Sequence, residues 1–225
     1  MIRKPRWKGE SAGGKLLSAC FRGNPWRVML NMSMKEPIMK GAEWQNIEKL
    51  KRQIDADRVK LNELSSELLR VSKKAIFALQ RHDNAEASPR LNKADSLIKS
   101  GLKLIAKQSA LRSEGIWKAA IEEYAEARIF ESFLKGRLSY PKLLKDYPDA
   151  IYGGLADAAG EMARLSVLSA TEGDKETIER AHQVAVQIVE HLASLELTGG
   201  LRAKFDQSKQ HLRRIEDIRY DLSKR

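Results

Sequence analysis

The sequence contains one cysteine, six prolines and no long apolar run. Cys20 alone cannot form an intramolecular disulfide or a cysteine-based zinc site, and this sparse use of cysteine favours a reducing cytoplasm. Six prolines and fourteen glycines in 225 residues are too few for an architecture of short strands and tight turns. No apolar run approaches the roughly 18 residues that a membrane span needs. We therefore expect a cytoplasmic protein with no membrane segment.

Several motifs of familiar enzyme classes are missing or incomplete. The four histidines lack the H-x₃-H and H-E-x-x-H spacings that would suggest zinc. No Gly-x-Ser-x-Gly or Cys/His arrangement indicates a covalent nucleophile. Residues 9–16 approach a phosphate-binding P-loop, but Leu16 replaces the required hydroxyl and no apolar strand precedes the segment. These absences argue against zinc hydrolases, covalent hydrolases and P-loop enzymes.

Positive charge is in excess, and most of that excess lies near the N-terminus. Residues 1–42 hold nine Lys or Arg and two Asp or Glu, which accounts for +7 of the formal net charge of +11. A basic arm attracts phosphate without reading sequence. The same stretch mixes glycine, tryptophan, serine and proline with no helical or strand period. We predict a loose basic extension over 1–42 and one folded domain over 43–225.

From residue 43 onward, apolar residues recur at the spacings of amphipathic helices, and no window alternates as a strand. Proline, glycine and capping residues predict where each helix begins and ends. The predicted helices cover 44–81, 89–110 with Ser88 as its cap, about 114–136 with Ser113 as its cap, a short piece between Pro141 and Pro148, a longer one to 171, one from Asp174 to about 199, and one from 201 to the C-terminus. The sequence therefore predicts an all-α, single-domain bundle of six or seven helices.

The third predicted helix carries two acids on one side. Glu123 and Glu126 project within about 60° of each other on an α-helix. Their stripe also carries apolar residues, so we expect it to face inward; these residues are Ala119, Ala127, Phe130 and Phe133. Buried acids are costly unless they are paired, hydrogen-bonded or bound to metal.

A second pair of acids, Asp157 and Glu161, lies four residues apart on the helix that follows Pro148. Glycines and alanines around them permit close approach of another helix. If the two helices pack together, their carboxylates converge, and an oxygen-only cluster suits Mg²⁺ or Mn²⁺ and phosphodiester hydrolysis. Acids at such spacings are also common on ordinary helices, and Glu161 with Arg164 is explained equally well as an ion pair. Spacing alone leaves both interpretations open.

Four segments, in order, carry a resemblance to a known family. They are residues 72–81 (SKKAIFALQR), 123–127 (EYAEA), 154–165 (GLADAAGEMARL) with Gly173-Asp174 after it, and 212–225, which end in YDLSKR. Together they resemble the family of translin and translin-associated factor X (Trax), over residues 55–225. Gln80 departs from the family pattern, which commonly has histidine there.

The resemblance implies a hollow helical oligomer, usually an octamer, that binds RNA and single-stranded DNA. In the Trax branch, carboxylates matching Glu123, Glu126 and Asp157 hold Mg²⁺ and cut RNA; we add Glu161 as a further metal ligand and keep Mn²⁺ as an alternative ion. The C-terminal helix is more similar to translin, whose subunits mainly bind. Trax-like acids in a chain with a translin-like C-terminal helix favour a self-sufficient homo-oligomer. An assembly with a second homologous subunit is the alternative.

The basic residues of the first helix are the candidates for contact with nucleic acid. Lys73 and Lys74 lie in a segment that resembles the family, and Arg70 and Arg81 flank them. Such residues contact phosphate and add affinity with little sequence specificity. A solvent-exposed face of mixed charge explains any one of them equally well.

The sequence thus favours a Mg²⁺-dependent endoribonuclease that acts as a homo-oligomer on RNA. Two alternatives remain open at this point. One is a non-catalytic protein that binds RNA or single-stranded DNA and whose acids are structural. The other is a helical scaffold that binds only protein.

Overall fold

The computed structural model describes residues 39–224. In that range it contains six α-helices, two short 3₁₀-helices and no strand. The α-helices are α1 (Gly41–Gln80), α2 (Asn84–Lys107), α3 (Gly115–Leu134), α4 (Pro148–Glu172), α5 (Lys175–Ala193) and α6 (Gly199–Ser223). The 3₁₀-helices are Ser109–Ser113 and Lys142–Leu144, the latter between the two prolines that predicted a short helix. The prediction of an all-α bundle with six or seven helices is confirmed.

Three predicted helix ends were wrong. Asp83, not Ser88, caps α2, because the Asp83 carboxylate accepts a hydrogen bond from the backbone N–H of Glu86 at 2.9 Å. Ser113 belongs to a 3₁₀-helix, so α3 begins only after Glu114. The glycine pair at 199–200 begins α6 instead of ending α5, which stops at Ala193.

The turn between α4 and α5 follows the prediction. Gly173 has φ +77°, the left-handed conformation that glycine adopts without strain at a helix end. Asp174 then caps α5 by accepting a hydrogen bond from the N–H of Thr177 at 3.0 Å. Two residues are therefore enough to reverse the chain.

Helix α4 lies at the centre of the bundle and packs against α3, α5 and α6, most extensively against α3. Small residues make the close approach of α3 possible. A Cβ atom on Gly154 would lie 2.7 Å from both the Ala125 Cβ and the Glu126 backbone N, and one on Gly153 would lie 2.1 Å from a Glu122 carboxylate oxygen. The sequence left open whether these two helices pack together, and the structure shows that they do.

The apolar face of α3 fills much of the core. Trp117, Tyr124, Phe130 and Phe133 are almost completely buried. Ala127 is buried as well, but Ala119 is exposed. The predicted inward stripe therefore begins near Glu123 and not at Ala119.

The prediction of a loose extension over 1–42 lies mostly outside the described residues. Of that stretch, Gly41 and Ala42 belong to α1. None of the helices that the structure describes is long and apolar enough to cross a membrane.

Candidate functional site: an acidic cluster between two helices

Five carboxylates meet where α3 packs against α4, and we call them the acidic cluster. Its members are Glu122, Glu123 and Glu126 from α3, and Asp157 and Glu161 from α4. The four acids predicted as metal ligands interact with one another, since the charges of Asp157 and Glu161 each raise the pKa of both Glu123 and Glu126. Glu122, the fifth member, was not among those predicted ligands. The backbones approach closely here because Gly153 and Gly154 carry no side chain.

Glu126 is the most buried acid of the cluster, with 8% of its surface exposed. Burial, followed by the charges of Glu123, Asp157 and Glu161, raises the pKa of Glu126 to about 9. Its carboxyl forms no hydrogen bond or ion pair with any described residue. Such a group is protonated at neutral pH unless a cation approaches it.

The other two α3 acids lie beside a lysine, yet burial dominates their ionisation. Burial raises the pKa of Glu123, although Lys73 Nζ lies 3.9 Å from its Oε2. Burial also raises the pKa of Glu122, whose Oε1 lies 3.2 Å from Lys204 Nζ. All three glutamates on this part of α3 are therefore harder to ionise than an exposed glutamate.

Lys204 is a site residue that the sequence did not reveal. It reaches the cluster from α6 and forms an ion pair with Asp157 as well as with Glu122. Burial acts to lower the pKa of Lys204, but the hydrogen bond to Asp157 and the two carboxylate charges raise it. No sequence pattern connects α6 to this place, because the contact crosses 47 positions of the chain.

Gln80, at the end of α1, holds Glu161 in place. Its Nε2 donates to the Glu161 carboxylate at 2.7 Å and to the Glu161 backbone carbonyl at 2.8 Å. Glu161 forms no ion pair with Arg164 within the described range, and the Arg164 guanidinium lies over the Phe77 ring at 5.6 Å. The interpretation of Glu161 and Arg164 as a simple ion pair is therefore wrong.

The donor set of the cluster fits a hard divalent cation. It offers only oxygen ligands, and the carboxyl of the largely buried Glu126 has no partner among the described residues. In the described part of the chain, however, no three acid, histidine or cysteine side chains are oriented to hold a metal ion. Several carboxylates face Lys73, Lys204 or Gln80 instead. Metal binding would therefore require these side chains to turn.

The four basic residues predicted to contact nucleic acid are all exposed; Arg70, Lys73 and Lys74 lie on α1, and Arg81 follows its last residue. Arg70 pairs with Glu67 at 2.6 Å, and Arg81 pairs with Glu86 at 2.6 Å. Lys73 points toward the acidic cluster at the distance given above. Lys74 forms no ion pair or hydrogen bond within residues 39–224. Lys74 is thus the most available of the four.

A cleft of about 1100 Å³ opens beside the acidic cluster. Glu122 and Lys204 line it, together with Tyr147, Tyr152 and Lys118. The cleft brings solvent, and molecules dissolved in it, to the Lys204 side of the cluster. Sequence patterns did not predict this cleft, because its walls come from the ends of several helices.

The model of the Translin family matches residues 56–225. No curated protein matches the chain. Among solved structures, the AfC3PO–duplex RNA complex superposes with a TM-score of 0.72 at 25% identity, covering 78% of this chain and 94% of that one.

Two further structures support the fold. The crystal structure of AfC3PO gives a TM-score of 0.66 at 26% identity and covers 80% of this chain and 96% of that chain. Apo-NeC3PO gives a TM-score of 0.72 at 20% identity and covers 81% and 97%, respectively. The acidic cluster lies within residues 56–225, the range that the family model matches.

Proposed function

Because this chain belongs to the translin family, we propose that it is an RNA-binding homo-oligomer, an octamer, that cleaves RNA at the acidic cluster with Mg²⁺. Single-stranded DNA is a second ligand in this proposal, and Mn²⁺ is an alternative ion. One observation carries the catalytic part: Glu126 is 8% exposed, lies among three other acids, and its carboxyl has no hydrogen-bond or ion-pair partner among residues 39–224. Similarity to the AfC3PO–duplex RNA complex supports the RNA-binding part.

In the proposed site, Glu123, Glu126, Asp157 and Glu161 hold the metal. When bound, Mg²⁺ supplies activation of a water molecule and stabilisation of the leaving oxygen. Glu126 loses the proton that its raised pKa retains in the metal-free protein, and so contributes a negative charge only when a cation needs it. Gln80 restrains Glu161 through two hydrogen bonds, which lowers the cost of ordering that ligand.

RNA binding is assigned to the exposed cations of α1. Lys73 connects the two parts of the proposal, because it is exposed and also lies 3.9 Å from Glu123. Lys74 and Arg70 extend the basic surface along the same helix, and Arg81 lies just after its end. Contacts of this kind are made to phosphate, so binding is expected to be salt-dependent and tolerant of sequence.

A cleavage assay tests the proposal directly. Labelled single-stranded RNA is incubated with wild-type protein, Glu126→Gln or Glu131→Gln, each in Mg²⁺ or in EDTA. Glu131 is a matched control because it lies on the same helix and is similarly buried, but pairs with Arg128 and Lys135. We expect cleavage that requires Mg²⁺, disappears in Glu126→Gln and persists in Glu131→Gln. Equal cleavage by wild type and Glu126→Gln would contradict the proposal.

A non-catalytic RNA-binding protein is the second candidate. The observation that favours it is that no described side chains are oriented to hold a metal ion. RNA binding without cleavage in any metal would support this candidate. Absence of RNA binding even at low salt, where electrostatic attraction is strongest, would instead favour a scaffold that binds protein. Light scattering tests the assembly, since an octamer of 25.4 kDa chains has a mass of about 200 kDa.

A further inference from the structure

Lys204 occupies an unusual position for a lysine. Its side chain is 27% exposed and lies between acids that belong to two different helices. Its ammonium group is in hydrogen-bonding contact with Asp157 Oδ2 and lies 3.2 Å from Glu122 Oε1. Lys73, the other lysine near the cluster, stays 3.9 Å from its nearest carboxylate oxygen and is 53% exposed. Lys204 is thus the principal protein cation of the cluster.

We propose that Lys204 is a tethered cation that engages Asp157 in the metal-free protein and must release it before a divalent cation binds. This inference rests on the proposed metal site and adds a residue that controls its occupancy. A metal that used Asp157 would meet the Lys204 ammonium on the same carboxylate. Two cations cannot share that group without strong repulsion, so one of them must move.

The neighbours of Lys204 allow such a movement. Glu122 offers a second carboxylate already within ion-pair distance, so the ammonium group keeps a partner when it leaves Asp157. Glu122 and Lys204 also line the cleft, which gives the released side chain space on the solvent side. The exchange therefore needs side-chain rotation and no movement of α3, α4 or α6.

The test measures Mn²⁺ binding to the full-length protein by electron paramagnetic resonance of the free ion, without RNA. The variants are Lys204→Met, which removes the charge, and Lys204→Arg, which keeps it. Lys209→Met is the matched control, because Lys209 lies on the same helix, away from the acidic cluster, and forms its ion pair with exposed Asp206 at 2.7 Å. We expect Lys204→Met to bind Mn²⁺ at least about tenfold more tightly than wild type, since a nearby positive charge is removed. Lys204→Arg and Lys209→Met should remain close to wild type.

Stability without metal provides an independent readout. In EDTA, Lys204→Met should unfold at a lower urea concentration than wild type, because the acids lose their counter-charge. In an Asp157→Asn background, Lys204→Met should lower the free energy of unfolding by less, since the Lys204–Asp157 ion pair is already absent. If Lys204→Met does not fold, Lys204→Gln replaces it in both measurements. An equal cost in the two backgrounds would overturn the pairing.

The outcomes separate this inference from the proposed function. Mn²⁺ binding that Asp157→Asn abolishes, but that Lys204→Met leaves unchanged or weakens, would overturn the inference and preserve the metal site. Lys204→Arg binding as tightly as Lys204→Met would also overturn it, because charge would not be the cause. Binding by neither wild type nor Lys204→Met would contradict both the metal site and the inference.

Discussion

Two glutamates on α3, five residues apart, have opposite ionisation although they are similarly buried. Glu126 is 8% exposed, and burial followed by neighbouring acids raises its pKa to about 9. The Glu131 side chain is 14% exposed, but hydrogen bonds from Lys135 and Arg128 outweigh burial and lower its pKa. Burial alone therefore does not decide the charge of a carboxyl. The decisive factor is whether the protein supplies a cation.

The Glu131 side of α3 is a closed network. The Arg128 guanidinium contacts Glu131 at 2.7 Å and Asp95 at 2.5 Å, and the Tyr124 hydroxyl donates to Asp95 at 2.7 Å. Each acid there has a protein donor, so no external ion is needed. In the acidic cluster, by contrast, no residue of the described range donates to Glu126, which makes this cluster the better candidate for binding a cation.

The largest expected effect is on RNA cleavage. Glu126→Gln should lower the rate of Mg²⁺-dependent cleavage by at least about 100-fold, because even residues outside the ligand shell of a metal site cost up to that much. Glu131→Gln should lower it by no more than about threefold. Single-turnover rates at saturating Mg²⁺ provide the measurement. Equal losses of cleavage rate in the two variants would show that Glu126 and Glu131 do not differ in their role.

The next prediction concerns protein stability and removes cations from the network around Glu131 on α3. Arg128→Met should destabilise the protein by about 2 kcal/mol, since it leaves two partly buried carboxylates without their shared cation. Lys135→Met should cost less than about 0.5 kcal/mol, because Lys135 is 59% exposed. Urea unfolding in EDTA measures both. If Arg128→Met lowered the free energy of unfolding as little as Lys135→Met, the network around Glu131 would not contribute to stability.

The pH dependence of stability tests the raised pKa of Glu126. The pKa of Glu126 is raised in the folded protein from 4.5 to about 9, so the folded state retains a proton that the unfolded chain loses. The stability that this group adds is fully present below about pH 4.5 and is lost as the pH rises toward 9, by at most about 1.4 kcal/mol per pH unit.

The corresponding experiment compares urea unfolding of wild type and Glu126→Gln in EDTA at about pH 6 and about pH 8. Wild type should lose more stability than the variant over this interval. Glu122 and Glu123 also have raised pKa values, so some loss should persist in Glu126→Gln. Parallel changes in the two proteins would mean that Glu126 is ionised without metal.

The smallest expected effect concerns RNA affinity. Lys74→Ala should weaken RNA binding about threefold and reduce its salt dependence by roughly one unit of slope, as loss of one phosphate contact predicts. Arg70→Ala should have a smaller effect, because Arg70 is already paired with Glu67. Filter binding at several salt concentrations measures both. The reverse order would mean that the pairing of Arg70 does not persist when RNA is bound.

The sequence predicted the features that depend on local periodicity. Glu123 and Glu126 share a face because of the helical period, and Gly153 and Gly154 permit close packing wherever another helix arrives. The turn at Gly173 and the helix cap at Asp174 each involve only a few neighbouring residues. Each of these predictions needs only neighbours along the chain.

Features that depend on tertiary contact could not be predicted in this way. Lys204 and Gln80 reach the cluster across 47 and 81 positions of the chain, and neither belongs to a local acidic pattern. Asp83 and Ser88 are both good caps, and local rules do not decide between them. The opposite pKa shifts of Glu126 and Glu131 likewise depend on which cations lie beside each acid, and this is decided by the packing of the helices.

In the proposed site, the acidic cluster holds a proton that a divalent metal replaces. Calorimetric titration of the protein with Mn²⁺ near pH 7.5, in buffers of different ionisation enthalpy, tests it most directly. We expect saturable binding that releases about one proton in wild type and fewer in Glu126→Gln, which also binds more weakly. No saturable binding in wild type, or proton release unchanged in Glu126→Gln, would contradict the account.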